Sequence, residues 1–334
     1  MKFSEMPYTR PDAEALKKQM SQLTERLKSA ASYEEARQVF LEKEAASRTV
    51  ETQATLASIR HSIDTRDTFY DGEEKFWNTF GPELEEYEQA WKAAMLDSPF
   101  RKDFSAEYGD LMFLNAEIAR KCFKPEIIPE MQQENDLTQE YEKLLASAQI
   151  PFEGKTYTLS QLTPLKSDPD DARRLAAWQA DAKWSMEHAA ELDELYDKLV
   201  HLRDSMGKKM GYEGYTTLGY YRMNRNCYTK EDVEKFRTAV QKYLVPVADK
   251  ICRKQAERLG KTYPLSFADL ALEFRSGNPC PMGTPDDILA QGMKFYGELS
   301  PETKVFFRTM LDNELLDVLS TEGKQAGGYC TSLG

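Results

Sequence analysis

Imidazole is the group on which most proton-transfer and metal chemistry at neutral pH relies, and this chain carries it at three positions only, His61, His188 and His201. His188 stands three residues before Glu191, and His201 three before Asp204. Each pair could therefore share a helical face and offer two ligands. A di-metal carboxylate bundle would want Glu-x-x-His on two helices, but Ser185 and Lys198 occupy the places where the glutamates would stand. Both histidines accordingly read as helix-surface or interhelical hydrogen-bonding groups. Gly154-Lys155-Thr156 resembles the end of a phosphate-binding loop, yet that loop needs a glycine five residues earlier, where Gln149 stands. It reads as a hairpin turn. His201-Leu202-Arg203-Asp204 has the wrong order and context for a kinase catalytic loop, and no G-x-S-x-G elbow occurs. The five cysteines, at 122, 227, 252, 280 and 330, contain no C-x-x-C pair and have no histidine close by in sequence. They read as reduced thiols of a cytoplasmic protein.

The densest chemistry lies between Gly211 and Tyr228, where five tyrosines and two arginines occur together. Tyr220, Tyr221 and Arg222 combine large flat surfaces with polar tips, which suits peptide or interface recognition. A helix–helix corner capped by tyrosines is the plainer reading, and composition leaves both open.

The elements that must position these groups are mostly long helices. Ala13, Leu16, Met20, Leu23 and Leu27 share one helical face. Ser32 with Glu35 forms a capping box for a second helix running to about Arg66. Helices are also expected over 73–97 and 106–121, and from near Pro125 to before Pro151. Residues 152–159 alternate around a central Gly-Lys, the pattern of a short hairpin. Asp168-Pro169, Thr284-Pro285 and Ser300-Pro301 each place proline at the first helical position behind a capping side chain. The helix after Asp168 carries the stripe Leu192, Leu195, Leu199, Leu202, Met206 and stops in a glycine-rich stretch from Gly207. Further helices are expected from about Thr229 to Leu259, over 285–297 and over 301–319. The final run, 327–334, has strand character. The fold class is mainly α with a little β-structure.

Composition sets the outer bounds. Among 334 residues, 44 Lys and Arg face 56 Asp and Glu, a net charge of −12. That balance speaks against nucleic acid and against anionic membrane surfaces as partners. Mean hydropathy is −0.64, but an aromatic content of 11% argues for a folded protein. The N-terminus has no apolar signal region, and no run approaches the roughly 18 apolar residues of a membrane span.

Three stretches carry a family resemblance. The opening Met1-Lys-Phe-Ser-Glu-Met-Pro-Tyr-Thr-Arg-Pro-Asp12, the segment from Leu202 through Met223, and the tail Lys324-Gln-Ala-Gly-Gly-Tyr-Cys-Thr-Ser-Leu333 resemble oligoendopeptidase F-type zinc peptidases of the M3, thimet oligopeptidase-like family. The resemblance spans nearly the whole chain. It implies a mostly helical peptidase acting on short peptides, with zinc held by H-E-x-x-H on one helix and a glutamate on the next. No two histidines here are four apart, so the motif cannot be drawn, and no catalytic residue or metal ligand carries over. In the family the zinc helix follows the Gly-Gly-Tyr-Cys-Thr segment, whereas here the chain stops four residues after Cys330, with Gly334 where proline is usual.

The resemblance therefore implies a helical region over 1–165, then the first part of a catalytic domain over 166–334 that ends before its zinc motif. It also implies a channel wall without catalytic zinc or hydrolysis of its own, and self-association or a missing C-terminal segment to cover the core. Gly327, Gly328 and Tyr329 are the nearest candidates for a substrate groove, since small residues let a peptide backbone approach. A non-catalytic helical peptide-binding or scaffold protein is the alternative.

Overall fold

The computed structural model describes residues 1–334. In chain order the helices are α1 (Ala13–Ser29), α2 (Tyr33–Ile63), α3 (Thr68–Leu96), α4 (Arg101–Tyr108), α5 (Leu111–Ala119) and α6 (Ile128–Ala146). The strands β1 (Ile150–Phe152) and β2 (Lys155–Tyr157) follow. After them come α7 (Leu159–Leu162), α8 (Asp171–Glu187), α9 (Ala189–Lys209), α10 (Tyr215–Arg222), α11 (Lys230–Ala239), α12 (Val245–Leu259), α13 (Pro285–Leu299) and α14 (Pro301–Asp312). The mainly helical fold class holds. None of the helices is long and apolar enough to cross a membrane.

Two compact units divide the chain. One takes Thr9–Ala146, Glu187–Pro246 and Gln325–Gly334; the other takes Met1–Tyr8, Ser147–Met186 and Val247–Lys324. Within the first, the apolar stripe of α1 works as its spacing dictates. Leu16 and Met20 pack with Phe80 of α3, while Leu23 and Leu27 join Val39, Phe40, Trp91, Phe104 and Phe113 in a second cluster. Gly207, buried in α9, lies so close to the Gly214 backbone that a Cβ would overlap its carbonyl. The loop before α10 is thereby pressed onto α9, next to the cluster of Ile127, Met206, Met210 and Leu218.

Within the second unit, α8 is fastened by Arg174, which is 1% exposed. Its Nε donates to the Ala268 carbonyl at 3.0 Å, its Nη1 to the Asp168 carbonyl at 2.7 Å, and its Nη2 to the Asp171 and Asp269 carboxylates. Residues 1–5 are tied here too, by Phe3 N–H to the Asn313 carbonyl at 2.9 Å and Lys2 to Glu314 at 2.9 Å.

Local chemistry explains where expectation and structure agree. Ser32, Thr284 and Ser300 each accept the backbone N–H three residues on, as N-caps do. It also explains the departures. The hairpin turns at Glu153-Gly154, with φ of 50° and 76°, rather than at Gly-Lys; two positive φ values are what a tight hairpin turn needs. The expected 106–121 helix is broken at Gly109, φ 85°. Asp168 does not cap α8; Asp170 does, accepting from Arg173 N–H at 2.8 Å. The long helix after it is interrupted at His188, and the last helix stops at Asp312 rather than 319.

The C-terminal strand is absent, because β1 and β2 are the sole strand pair. Gly327 takes φ 93°, outside the extended region, and residues 327–334 find no ladder partner. They lie instead against α2, with the Gly334 carbonyl 3.4 Å from Thr52 Oγ1.

Candidate functional site

The first unit holds a cavity of about 620 Å³ whose lining includes Ser58 of α2, Glu74 and Asn78 of α3, Glu134, Gln139 and Glu142 of α6, and Arg222 of α10. Gln325, Tyr329 and Thr331 close one side of it. Two of the six sequence candidates, Arg222 and Tyr329, thus face one cavity although 107 positions separate them in the numbering.

Glu134 is the fixed point of the floor, 5% exposed. Arg203 Nε donates to its Oε1 at 2.7 Å, and Arg222 Nη2 lies 2.8 Å from Oε2. Burial pushes its carboxyl up, and the Arg222 and Arg203 guanidiniums outweigh burial and hold it below the usual range. Arg222 is aimed by the same pair and by its Nη1–H to the Tyr215 hydroxyl at 3.1 Å.

Glu74 and Glu142 behave in the opposite way. Burial, reinforced by the Glu142 and Asp71 charges and opposed by Lys143, pushes the Glu74 carboxyl up to about 7. Burial likewise raises Glu142, against a hydrogen bond from the Gln325 side chain. The folded chain therefore holds the Glu74 proton more tightly than the unfolded chain does. That contribution to stability is complete below the ordinary glutamate range and is lost as pH rises through about 7. Glu74→Gln should leave stability at pH 4 unchanged and raise it by about 2–3 kcal/mol at pH 8. Urea unfolding at both pH values tests this; equal midpoint shifts at the two would contradict it.

Tyr220 and Tyr221 do not line the cavity. Tyr220 stacks under the Arg225 guanidinium at 4.2 Å, and Tyr221 packs beside Tyr212 at 5.9 Å and Lys121 at 5.2 Å. Gly327 and Gly328 lie between Gln325 and Tyr329, exposed, with open space within 4 Å of where a side chain would start. The cavity carboxylates Glu74 and Glu142 were missed in the sequence, since no local motif joins them.

The histidines do not assemble a metal centre. His61 is buried, 3.4 Å from Gln139 Nε2 and 3.6 Å from Asp71 Oδ1; burial, then the Lys143 charge, lowers its pKa. His201 is exposed and bonds the Asp197 carbonyl at 2.9 Å rather than facing Asp204, which pairs with Lys208. No three His, Cys, Asp or Glu side chains converge on one point. The residues present do not fit a catalytic zinc.

This helical architecture is shared with solved peptidase structures. Residues 3–123 match the family described as the Peptidase M3 N-terminal domain. Among solved structures its likeness is to oligoendopeptidase F. A Bacillus anthracis str. Ames protein assigned as an oligoendopeptidase F is 39% identical, with a TM-score of 0.97 over 100% of this chain and 61% of that one. PZ peptidase A, solved with an inhibitor, is 40% identical at TM-score 0.97, over 99% of this chain and 59% of that one. No match was found among curated proteins. The chain spans about three fifths of the length of the solved structures it matches.

Proposed function

We propose that this chain is the substrate-wall portion of an M3-type oligopeptidase: residues 1–165 a helical region, residues 166–334 the first part of the catalytic domain. Short peptides are its ligands, and zinc is supplied in the family by a motif not found in these 334 residues. The observation that carries the reading is the tail segment. Gly327 and Gly328 stand exposed with open space above them, beside a polar cavity that Tyr329 and Arg222 help to line. An extended peptide can bring its backbone against glycines with no side chain in the way.

On this reading the chain as it stands binds peptide and does not hydrolyse it. The cytoplasm is its proposed compartment. Its apolar helix faces, such as Phe295 and Leu299 of α13 and Phe306 of α14, all more than half exposed, are proposed to associate between copies. The test is an internally quenched heptapeptide of mixed sequence, followed by calorimetry and by fluorescence, with metal analysis and sedimentation on the same sample. Binding without cleavage is expected, with less than stoichiometric zinc and a dimer or larger species. Chelator-sensitive cleavage with one zinc per chain would sink the non-catalytic reading. No peptide binding would sink the reading altogether.

A further inference from the structure

Ser62, in the last turn of α2, is used twice by the tail segment. Its hydroxyl carries one proton, and the Ile59 carbonyl lies 2.8 Å away to accept it. The Tyr329 hydroxyl, 2.6 Å from the same oxygen, must then be the donor in that bond. The Ser62 carbonyl meanwhile accepts the Gln325 N–H at 2.9 Å. One residue thus holds both ends of the stretch from Gln325 to Tyr329. Between the two attachments lie Ala326, Gly327 and Gly328, with φ at Gly327 of 93°.

We propose that Ser62 is a positioning residue for the peptide site: it fixes the Gly327–Gly328 backbone in place before a peptide arrives. The inference rests on the reading of that segment as a peptide-binding surface. Two adjacent glycines left untethered would sample the widest range of backbone angles and would lose that freedom on binding. Tethering at both sides removes the loss from the binding step. It also engages the Tyr329 hydroxyl with Ser62, so that residue acts through the position of the segment.

Amide exchange and peptide affinity of the full chain test this together. Ser62→Ala and Tyr329→Phe each delete the hydroxyl pair, and Tyr329 is exposed enough that its variant threatens no core. Exchange of the Gln325 amide, which bonds the Ser62 carbonyl, is expected to rise about five- to tenfold in either variant. The double variant should go no further than either single, and Ser62→Thr, which keeps the hydroxyl, should restore the slow rate. Affinity for the heptapeptide should fall by a similar factor. Unchanged exchange in both single variants overturns the proposal. Peptide binding indifferent to both substitutions overturns the positioning role alone, leaving the peptide site standing. No binding by the unsubstituted chain overturns the peptide site and this role with it.

Discussion

Replacing Arg174 with methionine is expected to cost about 3–5 kcal/mol of stability, a large part of what holds a domain folded. Methionine fills much of the same volume, so the loss is not one of packing. What it removes is the charge and donors serving the Ala268 and Asp168 carbonyls and the carboxylates of Asp171 and Asp269. Asp269 is the critical partner, because its side chain is only 13% exposed and loses its guanidinium. Burial pushes Asp269 up, but Ser266, Arg174 and Lys261 together bring it down to about 2. Its contribution is therefore present above the ordinary aspartate range and lost as pH falls through about 2. In Arg174→Met that acid sensitivity should shift to higher pH. Urea unfolding from pH 3 to 8 checks both parts; a loss below about 1 kcal/mol at pH 7 would show that the carboxylates are satisfied without the arginine.

Phe104→Ala should be comparably damaging, at about 3–5 kcal/mol. Phe104 is fully buried and meets Tyr33, Phe40 and Tyr108 at ring separations of 5.1, 5.5 and 6.3 Å. Its helix α4 has eight residues and no side-chain N-cap, so it depends on its contacts with α2. Of these the ring is the buried one, beside Glu107 with Arg37 and Tyr108 with Phe40. The control is Phe69→Ala, at a ring 56% exposed, which should change stability by about 0.5 kcal/mol or less. Equal effects at the two positions in urea unfolding would refute the assigned core. Arg174 and Phe104 belong to different compact units, so the pair also reports whether the two units melt in one transition or in two.

What could be seen in the sequence was what is local. Ser32, Thr284 and Ser300 announce helix starts because a cap and its target lie three residues apart. The α1 stripe announces a buried face because helical spacing repeats within 17 residues. The likeness to oligoendopeptidase F was legible in stretches spread along the chain, the tail with its adjacent glycines and tyrosine among them. The tail's conformation was not. Alternating residues look like a strand, yet a strand exists only where another backbone pairs with it, and none does here. The cavity was hidden for a similar reason. Glu74 and Glu142 are raised chiefly by burial, to which the Glu142 charge adds at Glu74 from another helix, and Ser62 meets Tyr329 across 267 positions. Nothing in the neighbourhood of either residue signals its partner. Arg222 was singled out for its tyrosine company, while its decisive contact is Glu134, on a helix that ends 76 residues earlier.

The attachment of residues 1–5 to Asn313 and Glu314 has a temporal consequence. A ribosome delivers the first residues long before their partners. At about 5–20 residues per second, Phe3 waits roughly 15–60 s for the carbonyl it will bond. The helices α1, α2 and α3 pack on one another much sooner, while the extreme N-terminus is still idle. The start of the chain is thus among the last parts to reach its final place.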